Sequence, residues 1–304
     1  MSTAELSAPR GDGALAAGDL LAGRARPRNA FRSWLRLLGS ELRLMFRRWR
    51  NLALLGVLVV LPVVLGIGLR VSTPDGGGGG PNASFFAQLA GNGVFLSFLA
   101  LTILLTLVLP LVIAVVAGDS IAGEAGYGTL RYLLTRPAGR TRLLSVKYLA
   151  IVTYGLAATL IIGVVALLVG VILFPVGPVT LLSGTTISMA AGLVRVLWVA
   201  LYIAAAMAAV GAIGLAISTL TEHAIGAIAA IMVLVVTSEV VDQVPQFAVV
   251  APYLPTHWWN SFDALLRTPV DTTTLWHGMA SFAVYIVIFG AFAWARFTSS
   301  DVTS

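Results

Sequence analysis

Leu52 to Leu69 reads LALLGVLVVLPVVLGIGL, eighteen residues without a charge, bracketed by Arg47, Arg48 and Arg50 on one side and Arg70 on the other. A helix rises about 1.5 Å per residue, so this block covers most of a hydrocarbon core about 30 Å thick. It begins too far into the chain for a cleavable leader and is expected to stay in the protein. Comparable blocks follow at Val94 to Ala117, Tyr148 to Phe174, Leu193 to Ile217, Ala224 to Val241 and Trp276 to Ala295. The expected fold class is therefore all-α, a polytopic membrane protein with six transmembrane helices. Composition agrees: 58% of the 304 residues are hydrophobic, 11% are charged, and the mean hydropathy is +0.94. A soluble domain carries roughly a quarter charged residues, so a soluble reading is excluded. Pro62 and Pro110 fall inside or near the end of spans, where a lost amide predicts kinks.

Upstream of the first span, residues 1–30 are polar, rich in Ala, Gly, Arg and Pro, and show no sustained period, which predicts a disordered tail. Residues 31–50 differ. Phe31, Trp34, Leu35, Leu38, Leu42, Met45, Phe46 and Trp49 recur at helical spacing, while Arg32, Arg36, Arg43, Arg47 and Arg50 share another face. This pattern predicts an interfacial helix in the membrane plane, with Trp34, Phe46 and Trp49 at headgroup depth and Arg36, Arg43 and Arg47 on anionic lipid. The spans then occupy residues 51–297, and 298–304 form a short tail.

The net charge of +6 arises from eighteen arginines and one lysine. Ten arginines precede the first span, Arg131, Arg136, Arg140, Arg142 and Lys147 lie between spans two and three, and Arg296 follows the sixth. Sixteen of the nineteen basic residues thus share one side, leaving Arg70, Arg195 and Arg267 on the other. The positive-inside rule places both termini in the cytoplasm of a plasma membrane, and an Ala-, Gly- and Arg-rich chain with one lysine fits a GC-rich bacterial genome. The basic excess is read as topology and lipid contact, with no nucleic-acid partner.

Enzyme chemistry finds little footing. Absence of cysteine removes disulfides, thiolate metal sites and thiol nucleophiles. The only lysine, Lys147, is not in a phosphate-binding loop, no serine lies in G-x-S-x-G, and His223, His257 and His277 have no metalloprotease spacing. No catalytic, cofactor or metal site is expected on this chain. Charges near membrane depth are costly, which singles out Arg195 with Glu239 and Asp242 as a candidate outer vestibule or as interfacial helix ends. Ala204, Ala208, Gly211 and Gly214 of span four, and Gly226 with Ala230 of span five, are small residues suited to close helix packing. The outer segment Asp242 to Leu275, with Tyr253, Trp258, Trp259 and Phe262 among its prolines, suits partly inserted, re-entrant structure.

The connection between spans two and three runs from Gly118 to Arg142. Thr129 can cap a short helix whose Leu130, Leu133 and Leu134 form an apolar stripe, and Pro137 follows its end. Exposed leucines on stalks point to docking, with Glu124, Arg131 and Arg136 available for rim ion pairs. The order Asp119, Glu124, Gly128-Thr129-Leu130, Leu133-Leu134, Pro137, Arg140, Leu143-Leu144 and Lys147 resembles the signature loop of type-2 ABC exporter permeases. Gly214 to Leu220 and Tyr253-Leu254-Pro255 resemble the family more weakly, and Ala125 departs from it where many relatives carry a basic residue. The resemblance extends over most of the chain from about Phe31. It implies an N-terminal elbow, a coupling helix between helices 2 and 3, and an outer re-entrant segment between helices 5 and 6. It also implies a separate ABC ATPase subunit that binds the ATP and Mg, and a second permease copy or paralogue. Residues 119–147 would then couple nucleotide closure to the membrane helices. The expected function is ATP-driven export of a hydrophobic or amphipathic substrate, with an ATP-independent secondary transporter, or a membrane scaffold or assembly factor, as the alternatives.

Overall fold

A computed structural model describes residues 30–72, 92–126, 139–181 and 183–299. Its helices are α1 (Ala30–Arg47), α2 (Trp49–Ser72), α3 (Phe95–Thr106), α4 (Val108–Gly126), α5 (Arg140–Leu173), α6 (Met189–Ser218), α7 (Ala224–Asp242) and α8 (Thr272–Ser299). Five of them, α2 and α5 to α8, are long and apolar enough to cross a membrane, and α3 with α4 makes a sixth if the pair is one span. Continuous aliphatic sequence favours helices here, because a helix satisfies its own amides and carbonyls in a medium that offers no other partner.

The span expected from Val94 to Ala117 is bent by 53° where α3 meets α4 at Leu107. Pro110 explains the position: it has no amide for the carbonyl of Thr106, four residues back, and its ring crowds that turn. By contrast α2 runs uninterrupted through Pro62. The helix expected over 31–50 is also divided. It ends at Arg47, and Trp49 begins α2.

The core forms around α6, whose apolar stretch is 78% buried against 17% in α2 and in α8. Its small residues let neighbours approach, as membrane helices require when dispersion rather than the hydrophobic effect holds them together. Gly211 faces Ile151 of α5, and a Cβ on Gly214 would lie 2.6 Å from the methyl of Ala117 on α4. Ala204 and Ala208 are buried on the same helix. Gly226 and Ala230 of α7 lie instead on an exposed face.

The helix termini gather at two ends. One is rich in arginine and collects α1, the start of α2, the end of α4, the start of α5 and the ends of α6 and α8. The far end carries the connections from α5 to α6 and from α7 to α8, the first a small exception to the all-α expectation: Val179–Thr180 pairs antiparallel with Thr186–Ile187 around a turn at Gly184, whose φ is 77°. Between α7 and α8 the chain makes three 3-10 turns, Pro245–Phe247, Ala251–Tyr253 and Trp259–Leu266. Trp259, Phe262 and Leu266 of the last are buried, so this segment caps the bundle with apolar side chains.

Candidate functional site

At the arginine-rich end, α4 and α5 carry the chain into and out of residues 127–138. Two carboxylates in the last turns of α4 organise this end. Asp119 accepts from Arg48 at 2.6 Å and from Arg50 at 2.7 Å, tying the junction of α1 and α2 to α4. Glu124 pairs with Lys147 of α5 at 2.6 Å. The two pairs differ in setting. Arg48 and Arg50 are half exposed, so their attraction is screened and worth at most about 1 kcal/mol. Lys147 is only 4% exposed, so its ammonium has lost its water and depends on the carboxylate. Glu124 thus finds a cation 23 residues along the chain, although the residue after it, Ala125, is apolar.

Neutral groups complete the junction. The Tyr154 hydroxyl donates to the carbonyl of Asn51, the Asn51 amide donates to the carbonyl of Met45, and the rings of Phe46 and Tyr154 lie 5.5 Å apart. Trp34 donates to Ser145 at 3.2 Å, and Arg142 donates to Ser33 at 2.6 Å. These bonds lay α1 against the first turns of α5. Trp34 and Phe46, expected at headgroup depth, are therefore half-buried against protein, whereas Trp49 is 83% exposed. Arg36, Arg43 and Arg47 are exposed on the other face of α1, as their spacing predicts. A cavity of about 60 Å³ remains among Glu41, Arg48, Arg50, Asn51, Asp119 and Lys147.

Ser218, the last residue of α6, joins that helix to α4. Its hydroxyl accepts from the amides of Ile121 and Ala122 at 3.1 and 2.9 Å, and donates to the carbonyl of Gly118 at 2.9 Å. The side chain is fully buried. Further round, Arg140 donates to the carbonyl of Thr298, and Trp294 of α8 donates to Thr141.

Of the coupling residues expected from sequence, Asp119, Glu124, Arg140 and Lys147 come together at this end. Gly128, Thr129, Leu130, Arg131, Leu133, Leu134, Arg136 and Pro137 lie outside the described residues. The residues that sequence reasoning passed over are Arg48, Asn51, Tyr154 and Ser218. A usable signal existed for Asn51: an amide at the mouth of an apolar span must find partners or lose stability.

At the far end, Arg195, Glu239 and Asp242 do not meet. Arg195 donates to the carbonyls of Leu265 and Arg267 at 2.6 and 3.2 Å and to the Thr268 hydroxyl at 3.4 Å. Asp242 binds Nδ1 of His257 at 2.5 Å, and Glu239 makes no ion pair among the described residues. The 3-10 segment explains the separation: its short turns leave carbonyls without helical partners, and those carbonyls draw in the guanidinium. Trp258 stacks on His277 and meets His257 edge-on. Among the described residues no group of three His, Cys, Asp or Glu side chains could hold a metal ion.

Residues 80–303 match the model of the family described as a protein of unknown function, DUF2705. The match covers most of the chain, and the protein belongs to that family. A search of curated proteins finds no match.

Proposed function

We propose that this DUF2705 member is the membrane-spanning permease subunit of an ATP-driven ABC transporter, exporting a hydrophobic or amphipathic substrate with energy from a separate ATPase subunit. The arginine-rich end faces the cytoplasm, as the positive-inside rule requires, and both termini lie there. A second copy or a paralogue completes the membrane unit.

The observation that carries this reading is the pairing of Glu124 with Lys147, 2.6 Å apart, on the helices that flank residues 127–138. That stretch resembles the signature loop of type-2 exporters, and a coupling helix needs stiff supports to pass a push from an ATPase to the membrane. The ion pair joins the two supports within three turns of the loop. Asp119 carries the connection on to α2, and Ser218 carries it to α6. ATPase closure on residues 129–137 then moves α4 and α5 as one body. Apolar helix surfaces with few intramembrane charges favour a hydrophobic or amphipathic cargo.

The test is co-expression with an ABC ATPase of the same organism and purification through a tag on this chain. The wild type should bring the ATPase with it, and Leu133→Asp/Leu134→Asp should lose it while the membrane domain keeps its melting temperature. No association with any ABC ATPase of that organism, even for the wild type, would overturn the proposal.

A further inference from the structure

At the far end an open groove of about 580 Å³ runs along the first two turns of α6. Ala190 and Ala191 leave the space, and Val194, Trp198 and Val270 give it apolar walls, with Arg195 set among them. Arg195 makes no ion pair among the described residues. Its bonds go to two carbonyls and a hydroxyl, and none of the far-end carboxylates reaches it: Asp263 pairs with Arg267, Asp242 with His257, and Glu239 makes no ion pair among the described residues. A guanidinium carries five N–H donors in a fixed fork, so donors remain after these contacts.

We propose that this groove binds a phospholipid of the surrounding bilayer, with an acyl chain along Val194, Trp198 and Val270 and the phosphate on Arg195. Depth agrees with this occupant. Arg195 is about 9 Å along the axis from the start of α6, and a helix of 30 residues is about 45 Å long against a hydrocarbon core of about 30 Å. Its first turns therefore reach the headgroup layer, where Trp198 and Trp276, 56% and 73% exposed, sit as interfacial aromatics do. Charge decides between occupants. An apolar peptide or a neutral lipid would leave the guanidinium without a counter-ion, and a phosphate supplies one through charge-assisted hydrogen bonds.

The inference is independent of the transport reading, and its test needs no ATPase. The full chain, purified in mild detergent, is examined by native mass spectrometry with phosphatidylglycerol or with diacylglycerol bearing the same acyl chains. The wild type should retain phosphatidylglycerol about tenfold more than diacylglycerol, the size of one charge-assisted hydrogen bond. Arg195→Gln should abolish that preference and Arg195→Lys should keep part of it. Ala191→Trp fills the groove, leaves the Arg195 bonds in place and should lose lipid without a drop in melting temperature. Equal retention of the two lipids by the wild type, or wild-type retention by Ala191→Trp, would overturn the assignment.

Discussion

The two ends of the bundle mix side-chain pairs and bonds to backbone in different proportions. At the arginine-rich end, side-chain pairs join different elements, Asp119 with Arg48 and Arg50, Glu124 with Lys147, Trp34 with Ser145 and Arg142 with Ser33, beside the bonds of Tyr154, Arg140 and Ser218 to backbone. At the far end, side chains reach for backbone. Arg195 donates to the carbonyls of Leu265 and Arg267, Tyr202 to that of Trp258, Trp258 to that of Pro252 and Tyr285 to that of Tyr253. A 3-10 segment leaves carbonyls unpaired, and donors on α6, on α8 and on Trp258 of the segment itself supply what its turns cannot. The ion pairs join separate elements and can be exchanged for others, whereas the bonds to the 3-10 carbonyls fix the path of one segment.

Lys147→Ala breaks the comparison most severely, because it strips the partly buried Glu124 carboxylate of the Lys147 ammonium. The expected loss is about 3–5 kcal/mol, read as a fall in melting temperature in detergent, and Glu124→Leu/Lys147→Met should recover most of it. Next comes Gly278→Ala at the far end. The new methyl would fall on the Tyr202 hydroxyl, displacing it from the Trp258 carbonyl, at a cost of about 1–3 kcal/mol. Adding Tyr202→Phe should relieve part of that cost, and a double-mutant cycle with no coupling would refute the contact. Asp119→Asn should cost at most about 1 kcal/mol and lose its effect in high salt, since its partners are half exposed. A large, salt-insensitive loss would show that the two carboxylates of α4 work alike.

The smallest effect is at Asp271, which precedes α8 and is fully exposed. The Thr274 hydroxyl, then the Thr274 amide, hold its carboxyl below the ordinary range. A folded-state pKa depressed in this way stabilises the helix start above the unfolded carboxylate range, and that contribution disappears as pH falls through the folded value. Asp271→Ala should remove this small acid-side dependence from the melting curve and leave the rest unchanged.

What could be read in the sequence was set by periodicity and length. The spans are unbroken apolar runs, Pro110 marks the bend, and the alternation of Trp34, Leu38, Leu42 and Met45 with arginines gives the faces of α1. The pairings were hidden because their members are far apart: Arg48 and Asp119 by 71 residues, Tyr154 and Asn51 by 103. The partners of Arg195 were hidden for another reason. Its partners are peptide carbonyls, which every residue carries, so no side-chain pattern points to them. Glu239 and Asp242 looked like suitable counter-ions only because carboxylates are visible in a sequence and open carbonyls are not.

The Ser218 hydroxyl limits how α4 can move against α6. It touches three backbone groups within one turn of α4, at Gly118, Ile121 and Ala122, all between 2.9 and 3.1 Å. A slide of about 3 Å along the axis, two residues' rise, would break all three together, whereas a rotation centred on the hydroxyl would disturb none of them much. Relative motion of these helices is thereby steered toward pivoting, with Glu124 on the short arm of the lever and the bend at Leu107 at the end of the long one.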